Sequence, residues 1–228
     1  MAAGSVTSAR QREILAEMGI DVWTRRNLAG QVPQQSSCPE SPVAWAPLRE
    51  AVSGCTRCDL HRTRTQTVFG VGNEAARWMI VGEAPGGEED RRGEPFVGAA
   101  GQLLDEMLRA VGVARGDVFI ANILKCRPPE NRDPRPAEIA ACTGHLNAQL
   151  RLVAPKLILA VGRIAAQTLL QQEVPVGRLR GRAHAYGPGG TPLVVTYHPA
   201  YLLRSPAEKR KAWDDLRLAR GLVDPRAP

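Results

Sequence analysis

No stretch of the 228-residue chain comes near the roughly 18 uninterrupted apolar residues that a membrane-spanning helix needs. The opening segment, MAAGSVTSARQREILAEMGI, lacks the apolar core of a secretory leader and puts charges where that core would lie. No internal repeat is present. Aromatic residues are scarce, with three Phe, three Tyr and four Trp, so a large ring in a loop needs a reason. These absences exclude a membrane-spanning helix, and a cytoplasmic protein with no membrane partner is the expectation. Apolar residues make up 43% of the chain, which fits a globular domain with a sizeable core rather than disorder.

Cysteine is also sparse, at five. In a reducing cytosol a disulfide framework is not expected. The Cys55-x-x-Cys58 pair, with Cys126 and Cys142 further on, reads instead as a four-thiolate site. By ligand count a zinc ion and a [4Fe–4S] cluster serve equally well. Cys38 lies in a Gln-, Ser- and Pro-rich stretch and reads as a bystander.

What is abundant is positive charge: 30 Lys and Arg against 23 Asp and Glu, a formal net charge of +7. Arginine-rich surfaces favour polyanions, because guanidinium matches phosphate geometry and binding releases counterions. Charge alone leaves a nucleic-acid partner open. The run GRLRGR (177–182), with Arg62 and Arg64, offers candidate phosphate contacts.

Residues 8–19 could form a short amphipathic helix with Ile14, Leu15 and Met18 on one side. Linker composition follows over 27–47. The expected division is therefore an N-terminal appendage, 1–44, and a domain, 45–228. From Trp45 onward strand and helix patterns alternate. Trp78–Gly82, Val118–Ile123, Leu157–Gly162 and Leu193–Tyr197 are short apolar runs bounded by Gly, Pro or polar residues, as buried parallel strands are. Helix patterns fall at Gln102–Val111, Pro136–Val153, Arg163–Leu170 and Ala207–Leu222. The alternation predicts an α/β fold, a three-layer sandwich with a central parallel four-stranded sheet flanked by helices. Ligands bind beyond the carboxyl ends of such strands. Glu83, Asn122, Gly162 and His198 stand at or just past those ends, so a carboxylate, an amide and an imidazole converge on one rim.

Three motifs sharpen this. They are Gly82-Glu83-Ala84-Pro85-Gly86-Gly87-Glu88-Glu89-Asp90 with Gly93 to Gly98 (GEPFVG), Asn122-Ile123-Leu124-Lys125-Cys126-Arg127-Pro128-Pro129, and His198-Pro199-Ala200-Tyr201-Leu202-Leu203-Arg204. Together with the CxxC pair and in this order, the chain resembles the family 4 uracil-DNA glycosylases over roughly Trp45 to Leu222. The resemblance implies hydrolysis of the N-glycosidic bond of deoxyuridine in single- or double-stranded uracil-containing DNA, by a monomer that associates with the nucleoid when on DNA. It favours the [4Fe–4S] cluster on Cys55, Cys58, Cys126 and Cys142, in a structural place.

The resemblance puts the catalytic acid at Glu83, where a carboxylate can stabilise an oxocarbenium-like sugar or orient water. Glu89 becomes a second functional carboxylate of the same loop, against the alternative of a solvated charge run. Ala84 and Phe96 would contact the base, Phe96 by stacking. An amide at Asn122 can donate to a uracil carbonyl and accept from N3–H, a polarity that cytosine reverses. His198, neutral, can donate to uracil O2 as charge builds there. Leu202 or Leu203 would wedge into the vacated stack, and Arg204 would meet a phosphate. His61, His145 and His184 have no comparable context. Two other classes remain. One is a uracil-DNA cross-linking protein, which in a related branch uses a His in an insertion after the asparagine motif; Lys125 to Cys142 contains none. The other is a non-catalytic replication accessory factor.

Overall fold

The structure, a computed structural model, describes residues 44–224 together with Arg10, Glu17 and Met18. Apart from those three residues, the short helix expected over 8–19 lies outside the described residues, as do Cys38 and most of the linker. Two units are distinguished, Met1–Ser41 and Pro42–Pro228, and the second holds all the elements that follow. No helix among the described residues is long and apolar enough to cross a membrane.

Helix α1 (Trp45–Ser53) leads into the CxxC loop. The chain then runs β1 (Val71–Gly72), β2 (Trp78–Gly82), α2 (Gly87–Arg92), α3 (Ala99–Ala110), β3 (Val118–Asn122), α4 (Pro136–Val153), β4 (Leu157–Val161) and α5 (Arg163–Leu170). It continues through α6 (Val176–Leu179), β5 (Ala183–Tyr186), β6 (Thr191–Thr196), α7 (Pro199–Arg204) and α8 (Lys209–Val223). Helix α4 opens on Pro136, whose missing N–H costs nothing in the first turn.

Among the described residues the sheet has six strands in the order β1-β3-β2-β4-β6-β5. The four parallel strands expected from the apolar runs form its centre, but the count of four is corrected: β1 and β5 add antiparallel edges. Neither edge carries the signal of a buried strand. β1 has two residues, and Gly72 (φ +119°) must be glycine because a Cβ there would lie 1.9 Å from Val118 O. β5 alternates exposed and half-buried residues, as an edge strand does.

The central strands are buried on both faces. Met79 and Val81 pack with Leu146 and Leu150 of α4 and with Ala165 and Leu169 of α5. Trp78 and Ile80, on the other side, pack with Leu104 and Leu108 of α3 and Leu216 of α8. Each fully buried Leu, Ile or Val contributes about 1.5–3 kcal/mol, so the two helical layers clamp the sheet and hold its carboxyl edge in place.

Candidate active site

Register fixes the rim. Gly82 pairs with Asn122 across β2 and β3, and β4 and β6 end beside them. A cleft of about 730 Å³ opens there, lined among others by Glu83, Ala84, Phe96, Asn122, His198 and Arg204. The expected convergence of acid, amide and imidazole is met in one pocket. Glu89, Arg163, Tyr197 and Tyr201 share its wall.

Asn122 is 2% exposed, and its Oδ1 is buried with no hydrogen-bond partner among the described residues. An orphaned buried acceptor costs about 1–3 kcal/mol, so something that donates is expected to fill the place. Gly82 makes room for it: a Cβ there would lie 2.4 Å from Asn122 Oδ1 and 2.7 Å from the Phe96 ring.

Phe96 holds φ +55°, a left-handed conformation that costs an aromatic residue about 1–3 kcal/mol. The strain is held by its neighbours. Glu89 Oε1 accepts from Val97 N–H at 3.1 Å and Gly98 N–H at 3.4 Å, and its Oε2 accepts from Gly86 N–H at 3.1 Å. Arg115 Nη2 donates to Pro95 O at 2.7 Å. Glu89 therefore spends Oε1 on the loop that carries Phe96 and Oε2 on the turn that opens α2, while the Phe96 ring stacks on His198 with centroids 5.6 Å apart. Gly101, on α3, sits under this turn, and a Cβ would lie 1.8 Å from Phe96 O. A Gly101→Ala protein is expected to lose about 1–3 kcal/mol, read as a lower urea midpoint, together with the loop's ordered geometry.

His198 caps α7. Its Nδ1 accepts from Ala200 N–H at 3.1 Å, which puts the ring proton on Nε2. Burial and the Arg204 guanidinium push its pKa down to about 4 against the pull of Glu89. A neutral imidazole with a free Nε2–H donor results. Gly162 (φ +94°) lies against it, its ideal Cβ 3.1 Å from His198 Cβ.

Glu83 is half-buried just past β2. Burial and Asp133 push its carboxyl up to about 7, with Arg163 opposing. Asp133 and Arg163 pair with each other nearby.

The wedge expectation narrows. The segment after His198 is helix α7, not an open loop, and its phase buries Leu202 completely in the layer of Leu104 and Leu216. Leu202 is thus corrected from candidate wedge to core residue. Leu203 is 45% exposed and Tyr201 37%, and Tyr201 packs on Tyr197 at 5.1 Å between ring centroids.

The four cysteines expected to act together line one small cavity with Arg64, Lys125 and His145, and none of the four is in a disulfide. Arg64 Nη1 donates to Cys126 Sγ at 3.1 Å and to Cys55 O at 2.9 Å. Lys125 N–H donates to Cys142 Sγ at 3.3 Å, and His145 Nε2 lies 3.4 Å from Cys55 Sγ. Burial pushes the Cys142 thiol up to about 11 and raises that of Cys126. Among the described residues no three His, Cys, Asp or Glu side chains are grouped to hold a single metal ion.

Some basic residues are committed elsewhere. Arg64 serves the cysteines. In the GRLRGR run Leu179 is core, and Arg180 pairs at 2.9 Å with the fully buried Asp215. Sequence reasoning missed His145, whose one available signal was its position one helical turn after Cys142. It also missed Lys125, Gln149, Asp133 and Arg163, which look in text like ordinary solvated residues.

The Uracil DNA glycosylase superfamily matches residues 69–217. The Type-4 uracil-DNA glycosylase of Archaeoglobus fulgidus is 44% identical over 176 residues, covering 75% of this chain and 88% of that protein. The Type-4 uracil-DNA glycosylase of Thermotoga maritima is 43% identical over 177 residues, 76% of this chain and 92% of its own. A Type-5 uracil-DNA glycosylase of Pyrobaculum aerophilum is 30% identical over 146 residues, with coverages of 58% and 64%. Because the matched span takes in Glu83, Asn122 and His198 together with the strands that carry them, the chain belongs to the uracil-DNA glycosylase superfamily.

Proposed function

We propose that the protein hydrolyses the N-glycosidic bond of deoxyuridine in DNA, releasing uracil and leaving an abasic site for base-excision repair. The observation that carries this reading is the buried, unpartnered Oδ1 of Asn122 beside a ring-lined cleft. Uracil N3–H supplies the missing donor, and the amide's own N–H2 can donate to O4. Cytosine offers a lone pair at N3 and would leave the acceptor unmet. A cleft of about 730 Å³ at the strand ends takes the base only after it swings out of the helix, and the Phe96 ring that lines it offers a stacking face.

Bond cleavage sends the glycosidic electron pair into the pyrimidine, and His198 Nε2–H donates to O2, where that charge gathers. No proton need leave the imidazole. Ionised Glu83 faces the sugar cation and orients the water that adds to C1′; the proton this water sheds passes to the carboxylate and, through solvent, to the uracil anion. Glu89 acts as a positioning residue, holding the Phe96 loop. Leu203 is the apolar side chain available to fill the vacated stack, and Arg204, also exposed, suits a flanking phosphate. The reading carries with it a monomer in the cytoplasm, on the nucleoid when bound to single- or double-stranded DNA.

Cys55, Cys58, Cys126 and Cys142 would hold a [4Fe–4S] cluster. Four cysteines around one cavity, with N–H donors aimed at two of the sulfurs and the His145 ring nitrogen beside a third, suit thiolates bound to separate irons. A zinc ion needs all four sulfurs within about 2.3 Å of one point. When bound, the cluster ties the CxxC loop to the segment after Asn122 and enters no step of the hydrolysis. Protein prepared without oxygen should be brown with about four irons per chain. Arg64→Ala should weaken iron retention about 10-fold or more, measured as bleaching of visible absorbance under a chelator.

The direct test is a duplex with one G·U pair, incubated with protein and then treated with alkali. Strand breaks at the uracil, and none in the G·C control, are expected; an intact uracil strand overturns the reading.

A further inference from the structure

Three residues past Asn122 stands a lysine almost without solvent: Lys125 is 1% exposed. A buried ammonium persists only where acceptors meet it. Here both acceptors are uncharged. Nζ donates to the backbone oxygen of Asn122 at 2.8 Å and to Gln149 Oε1 at 2.6 Å. Gln149, fully buried on α4, donates in turn from Nε2 to Phe69 O at 2.8 Å. The backbone of Lys125 is committed as well: its N–H donates to Cys142 Sγ at 3.3 Å and its C=O accepts from Val68 N–H at 2.8 Å. The side chain walls the cavity that the four cysteines line.

One residue thus joins the thiol set, the loop entering β1 and the strand end that carries the base-reading amide. The proposed hydrolysis uses neither Lys125 nor Gln149, and a well-packed apolar pair would fill the same volume without desolvating a charge. Such a cost is explained if the pair sets a position. Asn122 is the last residue of β3, where the ladder to β2 ends. Its carbonyl is held by Lys125, so the backbone that aims the amide is fixed from behind.

We infer that the buried Lys125–Gln149 pair is a positioning device that locks the end of β3, so that Asn122 meets the pyrimidine edge in one geometry and uracil selection is mechanically tied to the cysteine centre. The inference rests on the proposed role of Asn122. It differs from a general packing role in one respect: the effect of breaking the pair must pass through the Asn122 amide.

The test is a double-mutant cycle on holo-protein matched for iron content, reading single-turnover uracil release. Gln149→Met removes the acceptor for Lys125 and is expected to slow release about tenfold. Gln149→Glu restores an acceptor while losing the donor to Phe69, and is expected to recover the rate to within about twofold of the parent. In an Asn122→Ala background, where no amide remains to be aimed, Gln149→Met should cost almost nothing further. Gln149→Ser is read in the same way if the Met variant does not fold, since its short side chain also leaves Lys125 without that acceptor. A loss of equal size in both backgrounds, or a Gln149→Glu protein as slow as Gln149→Met, makes the pair structural only and overturns the inference. A parent protein that releases no uracil overturns the reading of the site instead, so the two failures are distinguishable.

Discussion

Glu83→Gln is expected to slow uracil release from DNA by about 10²–10⁴-fold while leaving binding of uracil DNA nearly intact. The substitution keeps the shape of the side chain and removes only the negative charge that the proposed reaction sets against the developing sugar cation. Single-turnover rates with enzyme in excess separate chemistry from binding, and a wild-type rate in the Gln variant would remove Glu83 from catalysis. The pH profile carries a second, independent expectation. In the proposed role Glu83 must be ionised to act, and its carboxyl is pushed up to about 7, first by burial and then by Asp133. Activity measured as kcat/KM should therefore fall as pH drops below about 7, by about tenfold per unit. His198, pushed down to about 4, stays neutral across that range and adds no limb of its own. Asp133→Asn removes an upward push and should move the limb to lower pH; Arg163→Ala removes the opposing pull and should move it higher.

The same shift has a consequence for stability, of opposite benefit. The folded-state pKa of Glu83, about 7, lies above its ordinary 4.5. Folding therefore favours the protonated carboxyl, a contribution fully present below pH about 4.5 and lost as pH rises through about 7. Gln never ionises and escapes that loss. At pH 8 the Gln variant should melt higher than the parent, by on the order of 1 kcal/mol once the solvent in the open cleft is allowed for; near pH 4 the two should coincide. A site residue that destabilises the fold at the pH where it works is the pattern expected of function rather than packing.

How far the sequence revealed these features follows from where each physical signal originates. The runs WMIVG, VFIAN and LILAV are legible because strands buried on both faces must be apolar throughout, and the rim follows from where each run ends. The edges escaped for the opposite reason: a two-residue pairing at Val71–Gly72 and the alternating, exposed AHAY have no core to declare them. Leu202 and Leu203 are adjacent apolar letters whose difference lies only in helix phase, and α7 decides it by turning one into the core. The charged residues were hardest. Lys125 stands in the asparagine motif with no role of its own and Arg64 reads as a candidate phosphate contact, and only three-dimensional neighbours, a strand-end carbonyl and a cysteine sulfur, give them their work. Gly101 belongs with them, since a helix-interior glycine in text signals nothing about a carbonyl 1.8 Å from its missing Cβ.

Asn122→Ala should have the other large effect, and one of a different kind: uracil release falls about 10³-fold, while the background rate on cytosine stays where it was, so discrimination collapses. A site that pairs a substrate's hydrogen-bonding groups rejects analogues strongly because mismatched groups are left buried and unpaired. Removing the amide takes away both the reward for uracil and the penalty for cytosine. Stability should hardly suffer. The orphaned Oδ1 disfavours the empty fold by about 1–3 kcal/mol, and deleting it offsets much of the packing lost with the side chain. Melting curves and rates on paired uracil and cytosine duplexes give both quantities from one preparation. Should the Ala variant instead melt far lower and keep its preference for uracil, the amide would be a structural cap of β3, and the base would be read by some other group in the cleft.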